Sequence, residues 1–126
     1  MSTVLIVDDD RQVRFLLKTI LEGEGYSVEE AETGIEALKL YDSELHGTVI
    51  LDIIMPEMEG VETLRRLRER NPSVQVIAVS GGGRLEGEQY LRMMRGFGLE
   101  YTFTKPIDPE ELLEAVRNLS NRDTRG

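Results

Sequence analysis

The sequence predicts an open α/β domain in which five parallel strands, each followed by a helix, are wound into one sheet covered on both faces. Three observations lead there. Short runs rich in Val, Ile and Leu alternate five times with stripes of helical period. The middle run, Val49-Ile50-Leu51, has no apolar/polar alternation, as a strand buried on both faces requires, and it breaks off at Asp52 before a Pro-containing turn. Other runs also end on side chains that carry chemistry: Asp8-Asp9-Asp10, Ser80 and Lys105. In an open parallel sheet the crevice outside the carboxyl ends of the strands is where ligands bind.

The elements follow in order. Strand one is Thr3 to Val7. Val13, Leu16, Leu17, Ile20 and Leu21 form a helical stripe that stops before Gly23 and Gly25, with Asp10 as its expected N-cap. Tyr26 to Ala31 alternates weakly and carries Glu29 and Glu30, which marks an edge strand. Thr33-Gly34-Ile35-Glu36 has the capping-box spacing and opens a second helix through about Asp42. Strand three is Thr48 to Asp52. Helix three begins near Glu59, with Val61, Leu64 and Leu67 inward, Arg65, Arg66, Arg68 and Arg70 as a solvated face, and Asn71-Pro72 as its stop.

Strand four, Val74 to Val79, runs into Ser80-Gly81-Gly82-Gly83. A fourth helix is expected from about Glu86 to Gly96, with Tyr90, Leu91, Met93 and Met94 as core contacts. Strand five is Tyr101 to Thr104, followed by Lys105-Pro106. Asp108-Pro109-Glu110-Glu111 combines an acidic cap with Pro at the first helical position, so helix five starts there and turns Leu112, Leu113, Val116 and Leu119 inward. Residues 1–120 make one domain, and 121–126 read as a polar, frayed tail or the start of a linker. Strand two is the polar edge, and strands one and three are apolar and acid-bearing. The expected order is therefore 2-1-3-4-5, taken over from flavodoxin-like doubly wound proteins, with its switch point between strands one and three.

Composition narrows the function. The chain of 126 residues can bury a core without a covalent staple. It has no Cys, which removes disulfides and thiolate metal sites and fits a cytoplasmic location. The aliphatic runs Val4 to Val7 and Val76 to Val79 are far too short for a bilayer, and the amino terminus shows no basic-then-apolar signal pattern. A net charge of −9 argues against direct binding of nucleic acid and favours a cationic partner or a metal.

The predicted topology gathers Asp8, Asp9, Asp52, Ser80 and Lys105 at one sheet edge. Carboxylates ~5 Å apart repel by about 3 kcal/mol per pair at an effective dielectric of 20, so such a cluster calls for a divalent cation. Oxygen ligands suit Mg²⁺ or Mn²⁺ rather than zinc. An Asp beside a metal, a Lys and a hydroxyl is the equipment for phosphoryl transfer to a carboxylate: a nucleophile, positive charge for the equatorial oxygens and a hydrogen-bond donor.

These residues resemble the receiver domains of two-component response regulators, from Val4 to about Leu119. The resemblance rests on Val7-Asp8-Asp9-Asp10, on the stretch from Leu51-Asp52 through Met55-Pro56 to Gly60, on Ser80 after a buried strand, and on Thr104-Lys105-Pro106. It implies that Asp52 is the phosphoacceptor, Asp9 a direct Mg²⁺ ligand, and Asp8 the holder of metal-bound water. Ile54 would lend its backbone carbonyl to the metal. Ser80 corresponds to a switch hydroxyl, and Lys105 to the phosphoryl-contacting lysine before a cis-Pro. A sensor histidine kinase or histidine phosphotransfer protein would be the donor. An unidentified downstream protein would read the surface of the fourth helix, fifth strand and fifth helix. The chain would modify itself rather than act as an enzyme on an external substrate. His46, the only histidine, is expected at the surface before strand three.

Two departures from the family pattern stand out. Thr102 occupies the place of the usual aromatic switch residue, with Tyr101 and Phe103 pointing to the other face. Gly81-Gly82-Gly83-Arg84 also lengthens the interval between Ser80 and Lys105. This segment is either a surface loop or a set of phosphoryl contacts from the Gly81 and Gly82 amides and Arg84; on the second reading the signal passes through it and helix four. A haloacid-dehalogenase-like phosphatase with Asp8 as nucleophile is a competing reading, opposed by Arg11 and Gln12 where Gly and Thr belong. A phosphorylation-independent scaffold is another.

Overall fold

The computed structural model describes residues 3–53, 59–81, 92, 95, 96 and 98–124. Its elements are β1 (Thr3–Val7), α1 (Arg11–Gly23), β2 (Ser27–Ala31), α2 (Gly34–Leu40), β3 (His46–Asp52), α3 (Glu59–Arg70), β4 (Val76–Ser80), β5 (Tyr101–Thr104) and α4 (Pro109–Thr124). The five strands form one parallel sheet in the order β2-β1-β3-β4-β5, as predicted. Among the described residues four helices are assigned rather than five. The predicted helix over 86–96 falls mostly outside them, together with Tyr90, Leu91, Met93 and Met94, while Arg92, Arg95 and Gly96 are helical.

Strand alternation divides the core in two. Leu5, Val7, Val49 and Leu51 face Ala37 of α2 and Leu64 and Leu67 of α3. Val4, Ile6, Ile50 and Ile77 face Leu17 and Leu21 of α1 and Leu112 and Val116 of α4. Burial on both faces is why these strands read as unbroken apolar runs. The caps also form as expected: Asp10 accepts the amides of Gln12 and Val13, Thr33 accepts that of Glu36, and Asp108 accepts that of Glu110.

Three expectations are corrected. Leu16, expected in the inward stripe of α1, is 54% exposed; Arg14, three residues before Leu17 on the same face, is buried instead, at 6% exposure. Its guanidinium can be buried because three acceptors meet it (below). The C-terminal helix, expected to give way to a frayed tail at Ser120, is helical to Thr124.

The third correction concerns His46, which is not a surface residue. It opens β3 at 3% exposure, its Nδ1 accepts the Asp42 amide at 3.0 Å, and its Nε2 lies 2.5 Å from Glu29 Oε1. Since Nδ1 accepts a backbone N–H, the ring proton sits on Nε2 and is donated to Glu29. The ring of Tyr41 stacks on it with centroids 5.9 Å apart.

Candidate functional site at the carboxyl ends of β1 and β3

β1 and β3 are neighbours with Val7 opposite Leu51, so the residues that follow, Asp8 and Asp52, leave the sheet side by side. Both are nearly buried, Asp8 at 2% and Asp52 at 3% exposure, whereas Asp9 is exposed at the mouth of the crevice. Each of the three offers a carboxylate oxygen, and these oxygens lie within 4.8 Å of one another.

The turn carrying Asp8 and Asp9 is tied down. The Asp8 amide donates to the Ala31 carbonyl at 3.1 Å, its carbonyl accepts Arg14 Nη1 at 2.7 Å, and its Oδ1 accepts the Asp10 amide at 2.8 Å. The same turn leads directly into the N-cap of α1. On the other strand, Gly60 at the start of α3 rests against the backbone that bears Asp52. A Cβ built on Gly60 would stand 2.4 Å from Ile53 Cα and 2.6 Å from the Asp52 carbonyl oxygen, so only glycine allows the helix to approach this closely.

Lys105 comes from the segment after β5, where its amide donates to the Ser80 carbonyl at 2.8 Å and its bond to Pro106 is cis. Its Nζ lies 2.9 Å from Asp8 Oδ2 and 3.5 Å from Asp52 Oδ2. Burial, the largest single influence, would lower its pKa. The hydrogen bond to Asp8 and the charges of Asp52 and Asp8 together outweigh it and hold the ammonium above the ordinary lysine value.

Ser80 ends β4, one residue beyond the partner of Asp52; it is 0% exposed, and its hydroxyl donates to the Gly81 carbonyl at 3.1 Å. Thr102 accepts a hydrogen bond from Arg95 Nε at 3.1 Å, while Tyr101 and Phe103 pack on the core face with α4, as strand alternation predicts. Among the described residues nothing lies within 4 Å of a Cβ built on Gly81. Ile54, Gly82 and Arg84 lie outside the described residues.

The donor set suits a small hard dication. Three carboxylates and one ammonium, which meets Asp8 and Asp52, sum to a formal charge of −2, and among the described ligand atoms there are only oxygens, which fits Mg²⁺ or Mn²⁺. Two residues that shape this site receive no role from sequence reasoning. Arg14 sits on an amphipathic helix where an Arg reads as solvated, and Gly60 stands in a turn where glycine has many explanations. Only the acids at the end of β2, sixteen and eighteen residues after Arg14, hint that a buried cation is waiting for them.

Residues 4–117 match the response regulator receiver domain family. The chain is 32% identical over 114 residues to sporulation initiation phosphotransferase F of Bacillus subtilis, covering 90% of each. It superposes on the CheY-like response regulator receiver domain protein of Methanospirillum hungatei with a TM-score of 0.83 and 34% identity, covering 100% of this chain and 99% of that one. It also matches the response regulator TrrA of Thermotoga maritima, solved in complex with Mg²⁺-BeF, with a TM-score of 0.80 and 33% identity over 94% and 99% of the two chains. It spans 50% of the length of the transcriptional regulatory protein CpxR of Escherichia coli. The chain belongs to the response regulator receiver domains of two-component signalling. No helix among the described residues is long and apolar enough to cross a membrane.

Proposed function

We propose that Asp52 is the phosphoacceptor of this receiver. Its carboxylate oxygen attacks the phosphorus of a phosphohistidine on a sensor histidine kinase or histidine phosphotransfer protein. The P–N bond breaks, the electron pair stays on the imidazole, and Asp52 becomes an acyl phosphate. Asp8, Asp9 and Asp52 would hold Mg²⁺, with the backbone carbonyl of Ile54. When bound, the ion supplies positive charge to the phosphoryl oxygens. Lys105 leaves its pairing with Asp8 to meet a new phosphoryl oxygen, and the Ser80 hydroxyl exchanges the Gly81 carbonyl for another. These contacts exist only after transfer, so they bias a two-state surface built by the segment after Ser80, β5 and α4.

With Thr102 at the switch position, the Gly81 and Gly82 amides, Arg84 and the Arg95–Thr102 bond carry the change toward an unidentified downstream protein. The unit that does this is residues 1–120, with 121–126, helical to Thr124, as a tail or the start of a linker. It works in the cytoplasm without touching nucleic acid, and it contributes to its own dephosphorylation rather than turning over an external substrate.

The observation that carries this reading is a buried carboxylate at a strand end, 3.5 Å from a lysine ammonium and within 4.8 Å of two further acids. Intact mass after treatment with acetyl phosphate tests it. One added phosphoryl group is expected on the wild type with Mg²⁺, and none without the metal or on Asp52→Asn. Phosphate release from small esters that needs Asp8 and ignores Asp52 would point to a phosphatase. Metal binding without any adduct, from acetyl phosphate or a phosphorylated histidine donor, would point to a scaffold.

A further inference from the structure

Arg14 is the one cation of α1 drawn into the fold, and what it grips is backbone. Its Nη1 donates to the Asp8 carbonyl at 2.7 Å, while Nε meets Glu30 Oε1 at 3.1 Å and Nη2 meets Glu32 Oε1 at 3.4 Å. The three acceptors come from three places: the end of β1, the edge strand β2 and the loop after it. The amide of Asp8 is held from the same side by Ala31. The Asp8 amide is thus fixed to β2 directly and its carbonyl through Arg14 of α1, which β2 and the loop after it hold in turn, and the same peptide unit leads to Asp9.

We propose that Arg14 is a positioning residue for the acidic site. It fixes the peptide plane from which Asp8 and Asp9 project, and Glu30 and Glu32 hold the guanidinium in the orientation that does so. An uncharged residue at 14 would leave the Asp8 carbonyl without its donor and free the turn to rotate. The three oxygens would then have to be gathered against their own repulsion each time a dication binds. Planar, forked donation to a carbonyl and two carboxylates is a task for arginine, and a lysine ammonium can satisfy only part of it. Glu30 also meets Lys18 Nζ at 3.6 Å, so a second cation on α1 supports the same carboxylate.

The proposal rests on the reading of Asp8, Asp9 and Asp52 as the metal site, and calorimetric Mg²⁺ titration of the phosphate-free protein separates the two. Arg14→Met is expected to weaken Mg²⁺ binding by about 10- to 100-fold, the range found when a group that orients metal ligands is lost. Arg14→Lys should recover part of it. Glu30→Gln, a change at a partly exposed position that leaves the core intact, should weaken binding by about two- to fivefold, the size of one such ion pair. It should add nothing in the Arg14→Met background, because it acts through Arg14. Val116→Ala, a core truncation in α4, lowers the melting temperature and should leave the Mg²⁺ affinity at its wild-type value, so affinity and stability move independently.

Wild-type affinity in Arg14→Met overturns the proposal alone. If Arg14→Met does not fold, Glu30→Gln decides, and wild-type affinity there overturns it. If the wild type binds no Mg²⁺ that Asp9→Asn abolishes, the reading of the site falls and the proposal with it.

Discussion

β3 buries a polar, titratable side chain at each end, and the two ends are built for opposite purposes. His46 at the start has each ring nitrogen assigned to one partner, a backbone amide and a glutamate, and an aromatic ring stacked on its face. Asp52 at the end is set among two other carboxylates with one lysine between them, an arrangement that stores repulsion rather than relieving it. A satisfied buried polar group holds the fold; an unbalanced one waits for a ligand. The same strand thus shows that burial of a titratable residue is not by itself a mark of function. The mark is the like charge gathered around it.

The largest effect is expected where α3 leans on the Asp52 end. Gly60→Ala pushes a methyl into the Asp52–Ile53 backbone and should cost about 3 kcal/mol in denaturant unfolding, with phosphorylation of Asp52 impaired as well, because the strand end must move. His46→Ala should cost nearly as much, about 2 to 3 kcal/mol, through the lost packing against Tyr41 and the two abandoned hydrogen bonds. It should leave the rate of phosphorylation by acetyl phosphate unchanged. A large fall in that rate would mean that the two ends are not independent.

The Asp52 end should behave the other way round. Asp52→Asn removes one of three mutually repelling charges and should raise metal-free stability by about 1 kcal/mol while abolishing phosphorylation. Lys105 is held above its ordinary value of 10.5, so its contribution is complete below that pH and is lost only as pH rises through the higher folded-state value. Urea unfolding of the metal-free protein between pH 7 and pH 9 should accordingly show no decline attributable to Lys105, with the difference between wild type and Lys105→Met constant across the range.

The smallest effect belongs to the exposed arginine face of α3. The bonds from Arg65 and Arg66 hold Glu62 below its ordinary pKa. The benefit is present above the ordinary glutamate range and vanishes as pH falls through the lowered value. The melting-temperature difference between wild type and Glu62→Gln should be slight at pH 7 and disappear in acid.

The sequence made the Asp52 end legible because apolar runs stop there abruptly. Asp8, Asp9, Ser80 and Lys105 stand at such stops too, and once the strand order is known they converge. The His46 end left no such trace. His46 and Arg14 are buried by partners seventeen and sixteen residues away, Glu29 and Glu30, which local periodicity cannot see. Those two acids did announce an edge strand, but not that each would grip a buried group from a neighbouring element. Leu16 misled because a stripe of five apolar residues admits either flank of Leu17, and the acceptors around Arg14 decided which flank turned inward. The stretch Asn121-Arg122-Asp123-Thr124 contains no apolar residue, so nothing in the sequence betrays its helical turn.

Borohydride trapping of the phosphorylated protein, followed by peptide sequencing by mass, tests the central claim most directly. Reduction converts an aspartyl phosphate to homoserine and leaves a phosphohistidine or phosphoserine unreduced. Homoserine at position 52 alone is the predicted result. Homoserine at 8 or 9, or a phosphoryl group retained on His46 or Ser80, would contradict the assignment of the two ends of β3.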